Sequence, residues 1–160
     1  EFIESSAELR KNFRVALATG ENLYGIHRFT ELLNADAVDI IQPDLLCCGG
    51  FLEAKKIAAI AEAHYVTVAP HNPLGLISTA AGVHHSASIN NFAILEWHGD
   101  DKKRKSELIN ESWVPKDGYF ELPTDPGIGM TLNHDAINAN PPLNWDRGFA
   151  SYSDGSPGFL

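Results

Sequence analysis

The sequence is poor in cysteine, methionine and basic residues, and each shortage narrows the classes of protein that fit. Its two cysteines, Cys47 and Cys48, are adjacent in a chain of 160 residues. Adjacent cysteines rarely bridge each other, so we predict no disulfide framework, no zinc site of the CxxC kind and a reducing, cytoplasmic location. The only methionine is Met130, and the acidic start Glu1-Phe2-Ile3-Glu4 is unlike a signal peptide. We therefore expect the chain to be part of a longer protein.

Positive charge and long hydrophobic runs are also scarce. The 12 lysines and arginines face 21 aspartates and glutamates, a formal net charge of −9. This balance excludes nucleic acid and anionic membrane surfaces as partners. A small anionic substrate is still allowed, because a bound metal inverts the local field. No apolar run approaches the roughly 20 residues of a membrane span, yet 44% of the residues are hydrophobic, enough for one sizeable core.

Short apolar runs alternate with helical patterns over the first two thirds of the chain. Buried strands are predicted by the apolar runs at 15–19, 38–42, 66–69 and 92–95. Helices are predicted by apolar spacing at 26–33, 51–63 and 77–86. Apolar strands that are each followed by a helix indicate an α/β fold, with a parallel sheet covered on both faces.

The last third of the chain has a different texture. Residues 100–107 are a charged run, which predicts a solvated loop or helix face. Residues 118–129 are rich in turn formers, with short strands expected on either side. Residues 140–160 are rich in Pro, Gly, Asn and Ser, which predicts an extended tail.

A polar side chain follows each predicted strand: Glu21, Asp44, His71 and Glu96. The carboxyl ends of parallel strands share one edge of a sheet, where active sites are built, so we expect these four side chains to meet there. Such a set suits acid–base or metal chemistry. Structural roles remain open for each residue alone. These are a loop carboxylate or helix cap for Glu21, a turn cap for Asp44, a satisfied imidazole for His71 and a lysine pair for Glu96.

Several stretches, read together, resemble the mandelate racemase branch of the enolase superfamily. They are Ala18-Thr19-Gly20-Glu21, Asp39-Ile40-Ile41-Gln42-Pro43-Asp44 followed by Gly49-Gly50, Ala69-Pro70-His71-Asn72-Pro73-Leu74-Gly75, Leu95-Glu96 and Asp125-Pro126-Gly127-Ile128-Gly129. The Pro-His-x-Pro-Leu-Gly stretch is most similar to the galactonate dehydratase group. The resemblance implies the C-terminal part of a TIM-like (β/α)7β barrel. It assigns four βα units to residues 1–99, and to residues 100–160 an extension and tail that pack on the barrel or return toward a capping domain.

The resemblance also implies a role for each strand-end residue. Glu21 is the last of three carboxylate ligands to Mg²⁺, and His71 is the general base, with Asp44 holding its imidazole. Glu96 donates a hydrogen bond to the developing enediolate, so His71 and Glu96 both contact the substrate. These roles fit the chemistry, because hard cations take oxygen ligands and a carboxylate orients a basic imidazole.

The implied function is that of a magnesium-dependent sugar-acid dehydratase, a lyase that converts its substrate to a 2-keto-3-deoxy acid. The resemblance further implies a homo-oligomer at full length. In the family two metal ligands and a further acid come from earlier strands, so we expect this chain alone to be inactive. Two alternatives stay open: a racemase or cycloisomerase that uses the same enediolate, and a catalytically incomplete fragment that keeps these residues by descent.

Overall fold

The computed structural model describes residues 3–73, 75–98, 106–111, 113–142 and 152–154. The helices are α1 (Ile3–Asn12), α2 (Gly25–Asn34), α3 (Gly50–Ala63), α4 (Leu76–Ala87) and α5 (His134–Ala139), with a 3-10 helix at Ser106–Leu108. The strands are β1 (Ala18–Thr19), β2 (Ile40–Ile41) and β3 (Thr67–Val68). The three helices predicted between the strands are therefore confirmed to within one residue at each end. None of the helices in the described ranges is long and apolar enough to cross a membrane.

The strands form one parallel sheet in the order β1-β2-β3. Ile41 lies at its centre, opposite Thr19 on one side and Val68 on the other. Each strand is joined to the next by a helix, which is how parallel neighbours are connected. The prediction of a parallel sheet built from βα units is confirmed.

The two outer segments of the predicted sheet differ from expectation. Residues 15–19 were predicted as a buried strand, but only Ala18–Thr19 is regular and Val15 is 72% exposed. Residues 92–95 form no strand: Phe92 makes one parallel bridge to Val68, and the chain then continues irregularly. Each segment lies at an edge of the sheet that the described residues form, where no further strand of those residues pairs with its outer side. Pro70, two residues after β3 and next to residues 92–95, also has no N–H to donate across to them.

The main core lies between the sheet and the faces of α2, α3 and α4. Its largest fully buried apolar side chains are Phe29, Leu32, Val38, Ile41, Ile57 and Val68. In α2 the buried residues are Phe29, Leu32 and Leu33, which matches the predicted apolar face. This packing fixes the sheet on one side and leaves the carboxyl ends of the strands free for a site.

Helix α1 was not predicted, because Ile3 is its only fully buried residue. The helix is tied to the sheet by charge instead. Arg10 donates from Nε and Nη2 to Asp39 Oδ1 at 3.1 and 2.9 Å, just before β2. This guanidinium, with the Leu17 N–H, lowers the pKa of Asp39 below its ordinary value. Apolar periodicity does not reveal a helix that is held in this way.

A second, smaller core joins the C-terminal segment to α4. It contains Leu76, Ala80, Val83, Ile109 and Trp113. Phe120 packs at the edge of this core, with its ring centroid 6.2 Å from that of Trp113 and 6.0 Å from that of Trp97. The described part of the extension thus contacts the fourth βα unit. The division at residues 99 and 100, and a return toward a capping domain, stay predictions.

The short strands expected around 118–129 are isolated antiparallel bridges instead, Lys116 with Tyr119 and Ile109 with Leu132. Between Lys116 and Tyr119, Asp117 and Gly118 have φ of 51° and 84°, which suits a two-residue hairpin turn but not longer strands. Most of the charged run at 100–107 and of the tail at 140–160 lies outside the described residues.

A glycine is required at position 20, between the end of β1 and Glu21. Its φ is +132°, and an added Cβ would lie 2.9 Å from Phe29 Cε1 and 3.2 Å from Gln42 N. We expect Gly20→Ala to lower the free energy of unfolding by about 2 kcal/mol or more, from backbone strain and overpacking together. Urea denaturation measures it. Gly50→Ala is the matched control, because Gly50 has φ +80° and nothing within 4 Å. An equal loss in both variants would contradict the role of the Phe29 contact.

Candidate active site

The register of the sheet brings the first two site residues together. Asp44 and His71 form a parallel bridge, each three positions beyond the paired residues Ile41 and Val68. The backbone bond from His71 N to Pro43 O, 3.2 Å long, holds this pairing. Two side chains far apart in sequence therefore lie side by side at the carboxyl edge of the sheet.

Asp44 is buried and uses both carboxylate oxygens. It is 1% exposed. Its Oδ1 accepts the Leu46 N–H at 2.7 Å, and its Oδ2 lies 2.9 Å from His71 Nδ1. The structural reading of Asp44 as a turn cap therefore holds alongside the contact with His71. An ionised carboxylate only accepts hydrogen bonds, so Nδ1 carries the proton toward Asp44 and Nε2 faces the site.

The Nε2 edge of His71 faces two further carboxylates. Glu21 Oε2 lies 3.1 Å from Nε2, and Glu96 Oε2 lies 4.0 Å from it. The side chains of Glu21 and Glu96 are about half exposed, at 52% and 41%, while that of His71 is 21% exposed. The structure thus brings all four predicted residues together around one imidazole that solvent can reach. Their chemical roles stay predictions.

Glu96 is held by a residue that the sequence analysis did not single out. The Asn72 N–H donates to Glu96 Oε2 at 3.1 Å, and Asn72 Nδ2 donates to the Glu96 carbonyl at 3.0 Å. Asn72 Nδ2 also donates to Thr79 Oγ1, on α4, at 3.0 Å. The available signal was position, since an amide side chain directly follows the histidine at a strand end.

Cys48 lies beside the Asp44–His71 dyad but is not suited to act as a nucleophile. Its N–H donates to the Asp44 carbonyl at 2.7 Å, and the residue is 1% exposed. Burial, with the nearby Asp44 charge, raises the pKa of the Cys48 thiol to about 11. A thiol with this pKa stays protonated near neutral pH and is inert. Cys47 and Cys48 are both free in this structure.

Glu21 matches Mg²⁺ in donor type but not in donor number. A carboxylate is the oxygen ligand that this cation prefers, and Mg²⁺ takes an octahedral set of oxygens. Glu21 is half exposed at the strand end, where its Oε1 accepts a long hydrogen bond of 3.3 Å from Asn22 Nδ2. Across the described ranges, no group of three or more His, Cys, Asp or Glu side chains is arranged to hold a metal ion. A complete magnesium site would need ligands beyond these residues.

Sequence comparison finds relatives that are named sugar-acid dehydratases. The chain is 40% identical to D-xylonate dehydratase of Haloferax volcanii over 124 residues, which cover 78% of this chain and 30% of that protein. It is 35% identical to D-galactonate dehydratase of Xanthomonas campestris over 151 residues, which cover 89% of this chain and 39% of that protein. The chain thus spans well under half the length of these relatives.

Solved structures also share the fold of this chain. An enolase from Agrobacterium radiobacter, with Na and L-malate bound, superposes with a TM-score of 0.88 at 37% identity, covering 100% of this chain and 44% of that chain. A mandelate racemase/muconate lactonizing enzyme-like protein from Rubrobacter xylanophilus superposes with a TM-score of 0.80 at 38% identity, covering 85% of this chain and 35% of that chain.

These comparisons confirm the fold class and the family resemblance. The parallel sheet with its helices is the C-terminal part of a TIM-like enolase barrel, and its structural neighbours include members of the mandelate racemase group. The model of the family described as enolase C-terminal domain-like matches residues 1–136. The chain belongs to the enolase C-terminal domain-like family.

Proposed function

We propose that the full-length protein is a magnesium-dependent sugar-acid dehydratase. The carrying observation is the imidazole of His71, bonded through Nδ1 to a buried aspartate while Nε2 faces two glutamates. The names of the relatives support the same reaction class, since a D-xylonate and a D-galactonate dehydratase are 40% and 35% identical to this chain.

His71 takes the proton from the carbon alpha to the substrate carboxylate. Asp44 is buried and pinned by the Leu46 N–H, so it holds the imidazole with Nδ1 protonated. Nε2 is then the nitrogen that would accept the proton once Glu21, 3.1 Å from it in this structure, turns away to hold the metal, and Asp44 stabilises the imidazolium that forms. The C–H bond breaks, and its electron pair moves into the enediolate of the substrate.

Glu96 acts on the oxygen where that charge develops. Its Oε2 is 4.0 Å from His71 Nε2, so a substrate carbon near the base lies within reach of both groups. A protonated carboxyl donates a hydrogen bond that strengthens as the substrate oxygen becomes negative. Glu96 thereby lowers the barrier to proton removal without tightening ground-state binding.

Glu21 would hold Mg²⁺ together with ligands from the part of the relatives' length that this chain does not span. The chemistry that the cation supplies when bound is stabilisation of the negative charge on the deprotonated carboxylate substrate. The elimination then releases the 3-hydroxyl as water, with a proton from an acid outside the described residues. The resulting enol becomes the 2-keto-3-deoxy acid.

A dehydratase is favoured over a racemase or a cycloisomerase within the same fold. A racemase needs a second base on the opposite face of the substrate, and the strands that would carry it lie in the part of the relatives' length that this chain does not span. The preference therefore rests on the dehydratase names of the relatives. The proposed partners are a small sugar acid and further copies of the full-length chain, and a cytoplasmic location stays a prediction.

The test is turnover by the full-length protein with Mg²⁺ on a panel of sugar acids, with 2-keto acid formation as the readout. We expect one or a few sugar acids to yield a 2-keto-3-deoxy product, and removal of Mg²⁺ by a chelator to stop it. Epimerised or lactonised product without loss of water would assign the racemase or cycloisomerase activity instead. No reaction with any member of the panel would favour the catalytically incomplete alternative.

The 160-residue chain alone should bind Mg²⁺ weakly or not at all. Glu21 is a single carboxylate, and one ligand cannot replace enough of the water around this cation. Isothermal titration of the chain with Mg²⁺ should show no saturable heat, and Glu21→Gln should not change the trace. Tight binding would mean that other residues of this chain complete a metal site.

A further inference from the structure

Asn72 is a buried polar residue that the proposed mechanism does not use. It is 2% exposed, and it donates two hydrogen bonds to Glu96. Its N–H donates to the carboxylate Oε2 at 3.1 Å, and its side-chain Nδ2 donates to the backbone carbonyl at 3.0 Å. One residue thus fixes both the backbone and the reactive end of the glutamate.

In these two bonds the backbone N–H of Asn72 binds a side-chain oxygen of Glu96, and the Asn72 side chain binds the Glu96 backbone carbonyl. In a parallel ladder, a residue that donates to one carbonyl accepts from the N–H two positions further along the partner segment. Glu96 N donates to Pro70 O at 3.4 Å, so its carbonyl would ordinarily receive the Asn72 N–H. The Asn72 amide side chain takes that carbonyl instead. The backbone N–H is thereby released to hold the Glu96 carboxylate.

The orientation of the Asn72 amide follows from its surroundings. Thr79 Oγ1 donates to the Gly75 carbonyl at 3.0 Å, so toward Asn72 it acts as an acceptor. The Glu96 carbonyl is an acceptor too, so both positions require N–H groups and the amide must present its NH₂. Asn72 Oδ1 has no hydrogen-bond partner among the described residues. These two acceptors therefore fix which way the Asn72 amide points.

Glu96 is otherwise weakly restrained. It lies in an irregular segment rather than a strand, and its side chain is 41% exposed. The oxygen that accepts the Asn72 N–H, Oε2, is the same one that lies 4.0 Å from His71 Nε2. Without the Asn72 side chain, the backbone N–H at position 72 returns to the Glu96 carbonyl, and the carboxyl group is free to turn toward solvent and away from the base.

We propose that Asn72 is a positioning residue that holds the Glu96 carboxyl at its working distance from the His71 imidazole, with Thr79 fixing the Asn72 amide. This inference rests on the proposed function. A misplacement of a catalytic group by about 1 Å costs on the order of 10²-fold in rate. Because Glu96 acts on charge that develops during reaction, the loss falls on kcat rather than KM.

The test is a double-mutant cycle in the full-length protein, followed by exchange of solvent deuterium into the alpha carbon of a sugar acid. Asn72→Ala should lower the exchange rate and kcat by about 10- to 100-fold, with KM little changed. In a Glu96→Ala background the same substitution should have almost no further effect, since no carboxyl group remains to be positioned. Such non-additivity marks residues that act through each other.

Asn91→Ala is the matched control for stability. Asn91 also donates two side-chain bonds, to the Ala58 carbonyl at 3.0 Å and the Val66 carbonyl at 2.9 Å, but away from Glu96. It should lower the melting temperature while kcat is unchanged. If Asn72→Ala does not fold, Thr79→Val serves in its place, because it keeps the size of the side chain but removes the hydroxyl that orients the amide, together with its bond to the Gly75 carbonyl. Thr79→Ser should then restore most of the lost rate.

Two results would overturn the inference while leaving the proposed function intact. One is a folded Asn72→Ala or Thr79→Val protein with the wild-type rate. The other is an equal loss in the wild-type and Glu96→Ala backgrounds, which would indicate a structural role. Wild-type protein that neither exchanges the alpha proton nor dehydrates any sugar acid would overturn the proposed function and this inference together.

Discussion

Replacing His71 with asparagine should reduce dehydration by the full-length protein by about 10⁴-fold, the upper end of what a general base contributes. The amide of His71→Asn has no basic nitrogen to take the alpha proton. The loss should fall on kcat, because Glu21 remains to help hold the Mg²⁺ to which the substrate would bind. Formation of 2-keto acid under saturating substrate measures it.

His64→Asn is the matched control for that substitution. His64 is exposed at the C-terminus of α3, away from the strand ends, so its replacement should leave turnover unchanged. Circular dichroism should show that both variants are folded. If His71 serves only as a hydrogen-bond partner of its neighbours, His71→Asn should instead cost on the order of 1 kcal/mol of stability and leave turnover intact.

Asp44→Asn should lower kcat by about 10²-fold, less than His71→Asn because the imidazole is still present. The Leu46 N–H, 2.7 Å from Asp44 Oδ1, requires an acceptor at that position. The carbonyl oxygen of the new amide therefore faces Leu46, and its NH₂ group faces His71 Nδ1. This arrangement favours the tautomer with the proton on Nε2, which cannot accept another proton from the substrate.

The control for Asp44→Asn lies at the other end of the same strand. Asp39, just before β2, accepts hydrogen bonds from the Arg10 guanidinium and from the Leu17 N–H. Asp39→Asn should weaken the attachment of α1 and lower the melting temperature without changing kcat. A folded Asp44→Asn protein with wild-type kcat would show that Asp44 serves only as a turn cap.

Elements between the strands were predictable because their apolar residues repeat with a clear period. Helix α3 shows this best, since Ala54, Ile57, Ala58 and Ala61 are all buried on one face. The meeting of Asp44 with His71 was also predictable, because parallel strands deliver their carboxyl ends to one edge. Sequence position alone was enough to assemble the dyad.

Other features depend on contacts that no periodic pattern encodes. Val15 and Ile94 are apolar but 72% and 67% exposed, because burial depends on what lies beyond the edge of a sheet. Helix α1 is held by the Arg10 guanidinium, which pairs with Asp36 and Asp39, rather than by an apolar face. Asn72 holds Glu96 through its backbone N–H, which binds the carboxylate, and its side-chain amide, which binds the backbone carbonyl. This pairing becomes visible only in three dimensions.

Deuterium exchange at the alpha carbon of a bound sugar acid, followed by proton NMR in ²H₂O, tests the central claim most directly. It reports the step assigned to His71 even when loss of water is slow. The full-length wild-type protein with Mg²⁺ should exchange this proton, and folded His71→Asn protein should not. Exchange by His71→Asn at the wild-type rate would contradict the assignment of His71 as the base, and with it the proposed dehydratase mechanism.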